Sequence, residues 1–180
     1  MKRKPFGLYF YVIISLMNIS DINLDNFKVV IFDFDNTLAL HQDRNFFETR
    51  EKSADHFYNY FLNAYKYPHI FFEKIEPCVR SEELYNLTLE LRKKGIKMFV
   101  LSGMRSSFAI KAKQDFVSYH YGPDIEVFGV ANQSLKVEGV ILISKLVNCN
   151  INEILFIDDR ADTIKTLKEA NIPAFHFTGK

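Results

Sequence analysis

Cysteine is scarce in this chain of 180 residues: only Cys78 and Cys149 are present, far apart and with no second thiol or histidine at metal-finger spacing. That argues against a disulfide framework and a zinc site. The five histidines, His41, His56, His69, His120 and His176, form no pair at helical or turn ligand spacing, so they read as ordinary core or surface residues. A surplus of one charge is missing as well. The formal net charge is +1 and no basic block follows the first four residues, so the overall charge gives no support to nonspecific nucleic-acid binding. Long apolar runs are also lacking. Phe6 to Met17, behind Met1-Lys2-Arg3-Lys4, has the outline of a signal peptide. It is shorter than the roughly 20 residues that span a bilayer, it follows Pro5 and contains Gly7, and no A-x-A-like cleavage site comes after it. Residues 1–23 read as an N-terminal extension of uncertain structure, with Met17 as an alternative start, and the protein is expected to be cytoplasmic with no membrane association.

What is present suits one globular domain, residues 24–180, since 48% of the chain is hydrophobic and 15% aromatic. Short apolar runs predict strands at Val29 to Phe32, Ile96 to Leu101, Ile125 to Val130, Ile154 to Ile157 and Ala174 to Phe177. Between them, amphipathic spacing predicts helices at Ser81 to Lys94 (closed by Gly95), Ser106 to Val117, Val137 to Val147 and Ala161 to Ala170. Regular alternation of strand and helix implies an α/β fold: a Rossmann-like parallel sheet sandwiched by helices, with right-handed crossovers. The stretch 41–76 breaks the alternation and is too long for a strand-to-helix loop. Its aromatic residues from Phe46 to Tyr65 recur at helical spacing until Tyr67-Pro68, so it reads as a small helical cap insertion packed onto the body.

In open parallel sheets the ligand crevice lies beyond the C-terminal strand ends, and the acids of this chain gather there. Asp33 and Asp35 follow the first strand, Ser102-Gly103 the second, and Asp158, Asp159 and Asp162 the fourth. Strand alternation would send Asp33 and Asp35 to one side, where nothing apolar compensates their lost hydration. Two carboxylates placed about 4 Å apart repel by about 4 kcal/mol at an effective dielectric of about 20. A divalent cation would relieve that conflict.

The ordered set Asp33-Phe34-Asp35-Asn36-Thr37-Leu38, Leu101-Ser102-Gly103, Lys136 and Phe156-Ile157-Asp158-Asp159-Arg160-Ala161-Asp162 resembles the four motifs of the haloacid dehalogenase superfamily of phosphohydrolases, over roughly 26–177. The resemblance implies a magnesium-dependent phosphatase that hydrolyses a phosphate monoester through an aspartyl-phosphate. Phosphoryl transfer needs a nucleophile, a proton donor for the leaving oxygen and positive charge on the phosphoryl oxygens. Asp33 is the expected nucleophile, and Asp35 the general acid and then base. Ser102 would bind phosphate, beside backbone N–H groups at the approach to a helix. Lys136, about 22 residues before Asp158, would offset the charge of Asp33 and of the phosphoryl group, in preference to Lys145 within the following helix. Mg2+ would be held by Asp33, the Asp35 backbone carbonyl and Asp158, with either Asp159 or Asp162 orienting a water on it. Arg105 and Arg160 flank these loops as solvated cations or substrate contacts, and Asn36 reads as a turn former.

In that family dehalogenases lack the second aspartate and ion pumps carry threonine there, so Asp35 points to a phosphohydrolase or phosphotransferase. The short cap implies an open crevice. The expected partner is a phosphorylated substrate, either a small ester or a phosphorylated macromolecule, a nucleic-acid end included. A non-catalytic protein of the same fold that binds a phospho-ligand is the alternative. No G-x-S-x-G context accompanies Ser102, which argues against a serine nucleophile.

Overall fold

Val29–Phe32 forms β1, the central strand, and all four of its side chains are buried. Val and Ile suit this position because a strand covered on both faces favours branched apolar side chains. The computed structural model describes residues 18–41, 75–103 and 107–179. Within them, β4 (Lys97–Gly103) and β6 (Ile154–Asp158) pair in parallel with β1 on either side. Two outer strands, β5 (Glu126–Val130) and β7 (Ala174–His176), complete a five-stranded sheet in the order β5-β4-β1-β6-β7, all of it parallel.

Alternation along β1 assigns its residues to two separate cores. Val30 and Phe32 pack with Leu84, Leu87 and Leu91 of α1 (Ser81–Lys93) and with Val117 of α2 (Ser107–His120). Val29 and Ile31 pack on the other side with Val140 and Ile143 of α3 (Lys136–Val147) and Leu167 of α4 (Ala161–Glu169). The two-sided sandwich expected from the sequence is therefore the observed architecture. Ile19, ahead of Asn23, also packs in the first core.

Helix ends follow local chemistry. Gly95, at φ +70°, closes α1 in the left-handed region open to a residue without Cβ. Asn36, Asn148 and Asn171 take the same region at φ 54 to 59°, as asparagine does more readily than other side chains. The helix α2 runs past the expected Val117 to His120, because Val117 and Tyr121 continue the buried stripe by another turn.

The ends of the insertion meet as a short antiparallel pair, β2 (Ala39–His41) with β3 (Ile75–Pro77). The helical cap expected between them lies outside the described residues, as do Phe6 to Met17 and Arg105. No helix among the described residues is long and apolar enough to cross a membrane.

Candidate active site

The loop after β1 is braced from several directions. Asp33 keeps sheet pairing through its amide, which donates to the Ile157 carbonyl at 2.8 Å. The chain then turns: Phe34 is fully buried and its carbonyl accepts the Leu38 and Ala39 amides. Its ring meets Phe116 edge-on at 5.4 Å, anchoring the residue between the two aspartates. Asn36 supplies the left-handed turn anticipated for it. Tyr121 donates its hydroxyl to the Leu38 carbonyl at 2.7 Å, and the C-terminal tail adds a bond from the Gly179 amide to the Asn36 carbonyl.

Because the strand stops at Phe32, Asp33 and Asp35 reach the crevice around a turn rather than by simple alternation, and helices from opposite faces of the sheet meet them. From one face comes Lys136, the first residue of α3. It is 1% exposed, lies 2.8 Å from Asp33 Oδ1 and donates to Asp158 Oδ2 at 2.6 Å. Burial pulls this ammonium down, but Asp33 and Asp158 outweigh it and hold the lysine above its ordinary value. Gly139, one turn on, permits the approach, since a Cβ there would meet Leu101 Cδ2 at 2.6 Å. Lys145, by contrast, is exposed.

From the other face comes Lys113 of α2, also 1% exposed. Its Nζ donates to Asp35 Oδ2 at 2.7 Å and to Ser102 Oγ at 2.9 Å, and lies 4.3 Å from the centre of the Phe34 ring. The sequence reading missed this residue. The available signal was a lysine on the apolar line Ile110, Val117, Tyr121 of an otherwise amphipathic helix. Ser102 is fully buried and belongs to β4, paired with Gly129, rather than to the turn beyond it. Next to it, Gly103 leaves room for Gln133, whose Nε2 would be 3.1 Å from a Cβ at that position.

The carboxylates of Asp33, Asp158 and Asp159 offer ligand atoms that all lie within 4.8 Å of one another. Burial pushes Asp33 up to about 6, with Lys136 opposing and Asp158 and Asp35 adding repulsion. Burial, then Asp33 and Asp158, push Asp159 up to about 7. With Asp33, Asp35, Asp158 and Asp159 all ionised, Lys113 and Lys136 leave an excess of two negative charges. That donor set, oxygen-rich and doubly anionic, fits a hard divalent cation.

Asp162 lies apart from this cluster. Arg160 engages it through Nε at 3.0 Å and through the second guanidinium arm, which holds the carboxyl near 2. The Arg160 amide donates to Asp158 Oδ1 at 2.8 Å, so this arginine steadies the site through its backbone while its side chain is occupied. His176 Nε2 lies 2.7 Å from the Asp159 carbonyl and ties β7 to the same loop.

No family model matches the sequence, and no curated protein matches it. Solved structures do match in shape. A haloacid dehalogenase-like hydrolase from Bacteroides fragilis superposes with a TM-score of 0.60 at 18% identity, covering 82% of this chain and 86% of that one. A phosphoserine phosphatase solved as a phospho-aspartyl intermediate analogue gives 0.53 at 16% identity, over 79% and 83%. A HAD family enzyme from Bacteroides thetaiotaomicron, solved as a magnesium complex, gives 0.54 at 15%, over 86% and 94%. The chain therefore has the haloacid dehalogenase-like fold. At these identities the likeness establishes the fold.

Proposed function

We propose that the protein is a magnesium-dependent phosphatase acting on a phosphate monoester through a phosphoryl group carried on Asp33. The observation that carries this reading is the convergence of Asp33, Asp158 and Asp159 within 4.8 Å beside two buried lysines that reach Asp33 and Asp35 separately. Solved neighbours include a phospho-aspartyl intermediate analogue and a magnesium complex, which supports carrying the same chemistry to this chain.

In the proposed reaction an Asp33 carboxylate oxygen forms a bond to phosphorus as the bond from phosphorus to the ester oxygen breaks. Asp35, which enters this step protonated on the oxygen that Lys113 does not engage, delivers that proton to the departing oxygen. Asp35, now ionised, takes a proton from the water that attacks phosphorus, and the bond to Asp33 breaks to release inorganic phosphate. Lys136 holds Asp33 in place and offsets charge on the phosphoryl oxygens, while Ser102 donates to one of them. Asp33, Asp158 and Asp159, with the Asp35 backbone carbonyl, would hold the Mg2+, which supplies positive charge against both the carboxylates and the phosphoryl group. Asp159 is preferred to Asp162 for this role because the Asp162 carboxylate is already engaged by Arg160.

The test is hydrolysis of an aryl phosphate by purified protein, with magnesium and with chelator. Magnesium-dependent turnover that Asp33→Asn abolishes without loss of folding is expected. Undiminished turnover in the variant would remove Asp33 as nucleophile, and phosphate binding without turnover on any ester would favour a binding protein.

A further inference from the structure

We propose that Lys113 is a positioning residue for phosphate recognition: from α2 it separates Asp35 from Ser102 and turns the Ser102 hydroxyl outward as a donor to a phosphoryl oxygen. The inference rests on the phosphatase reading for its setting, but it concerns a residue and a bond that the reading does not require.

An ammonium has three N–H donors and no acceptor. In Lys113 one goes to Asp35 Oδ2 at 2.7 Å and one to Ser102 Oγ at 2.9 Å, while the Phe34 ring lies 4.3 Å away. Ser102 is fully buried, and its hydroxyl has a single proton. That proton cannot go to Lys113, which accepts nothing, so the lysine fixes Ser102 Oγ as acceptor on one side and frees its O–H for the crevice beyond β4. Asp35 is the competing acceptor. With the ammonium removed, the serine proton can turn toward the Asp35 carboxylate, so the phosphate donor and the proposed acid would satisfy each other instead of the substrate.

Two features argue against an incidental salt bridge. A lysine buried to this degree is costly to keep charged without dedicated partners, and here both partners belong to the proposed site. Lys136 already meets Asp33 and Asp158 from the opposite face, so Lys113 does not duplicate it. Elsewhere, the cavity at the far end of the sheet, lined by Lys28, Lys94 and Lys97, offers no comparable arrangement, because Lys28 pairs with Glu153 and Lys94 with Asp25.

The test measures inorganic phosphate binding by calorimetry in saturating magnesium for wild type, Lys113→Met, Ser102→Ala and the double variant, alongside aryl phosphate turnover. Loss of one charge-assisted donor is expected to weaken phosphate binding about tenfold or more in each single variant. The double variant should bind within about twofold of Ser102→Ala alone, because Lys113 acts through that hydroxyl. Should Lys113→Met fail to fold by circular dichroism, Lys113→Gln takes its place, since its carbonyl can capture the serine proton and the same loss is expected. Lys113→Arg, which donates without accepting, should recover most of the affinity. Wild-type affinity in the Met or Gln variant, or losses that multiply in the double variant, would overturn the proposal, as would a wild type that binds no phosphate. A wild type that binds phosphate yet hydrolyses nothing counts against the phosphatase reading alone, and the four affinities still decide the role of Lys113.

Discussion

Asp159→Asn should make the cation-free protein more stable, and only above acidic pH. Burial first, then repulsion from Asp33 and Asp158, raise this carboxyl from 3.8 to about 7. In the unfolded chain the same group ionises near 3.9. Below about pH 4 both states hold the proton and the site costs nothing. As pH rises toward 7 the unfolded chain gives up its proton first, so stability falls across this window and the penalty is complete above about 7. The difference between 3.8 and about 7, at about 1.4 kcal/mol for each unit, sets a ceiling of about 4 kcal/mol. Interaction with Asp33, itself pushed to about 6, shares part of that cost, so a gain of about 2 to 4 kcal/mol at pH 8 is expected for the variant. Urea denaturation in chelator, from pH 4 to 8, reads it directly. The curves of the two proteins should coincide near pH 4 and separate as pH rises. Adding magnesium should stabilise wild type far more than the variant. An Asp159→Asn protein that is less stable than wild type at pH 8 in chelator, or a difference independent of pH, would refute the reasoning.

Other consequences follow from the same geometry. Asp35→Ala should slow esters with poor leaving groups far more than activated aryl phosphates, because only the former need the proton; equal losses across a leaving-group series would contradict the role. Gly139→Ala would place a Cβ 2.6 Å from Leu101, so it should destabilise by about 1 to 3 kcal/mol through overpacking and lower turnover by displacing Lys136, as thermal melts and kinetics would show. Tyr121→Phe removes the 2.7 Å bond to the Leu38 carbonyl, which still accepts the Cys78 amide at 3.1 Å, so a loss of about 0.5 to 1.5 kcal/mol in urea is expected.

Much of the fold was legible because the parallel sheet is buried on both faces, which writes each strand as a short apolar run and each helix as a stripe between runs. The acids at strand ends stood out for the same physical reason: Asp33 and Asp158 directly terminate apolar strands. Contacts made by folding over long separations were harder to see. The pairing of β2 with β3 involves three residues on each side, too few to show a period. Ser102 read as lying past the end of its strand, because the apolar run stops at Leu101, whereas parallel pairing with β5 extends β4 through Gly103. Lys113 was overlooked because a lysine on a helix normally faces solvent. Its charge is accommodated only because Asp35, 78 residues earlier in the chain, and Ser102 come to it. The choice between Asp159 and Asp162 likewise depended on where Arg160 points, which no spacing reveals.

The most direct test of the account is to acid-quench the protein during turnover of a phosphate ester with magnesium and map any phosphoryl group by peptide mass spectrometry. A phosphoryl group on the peptide containing Asp33, absent in chelator and in Asp33→Asn, is the predicted result. Steady turnover with an unmodified chain, or a phosphoryl group on Ser102 instead, would contradict it.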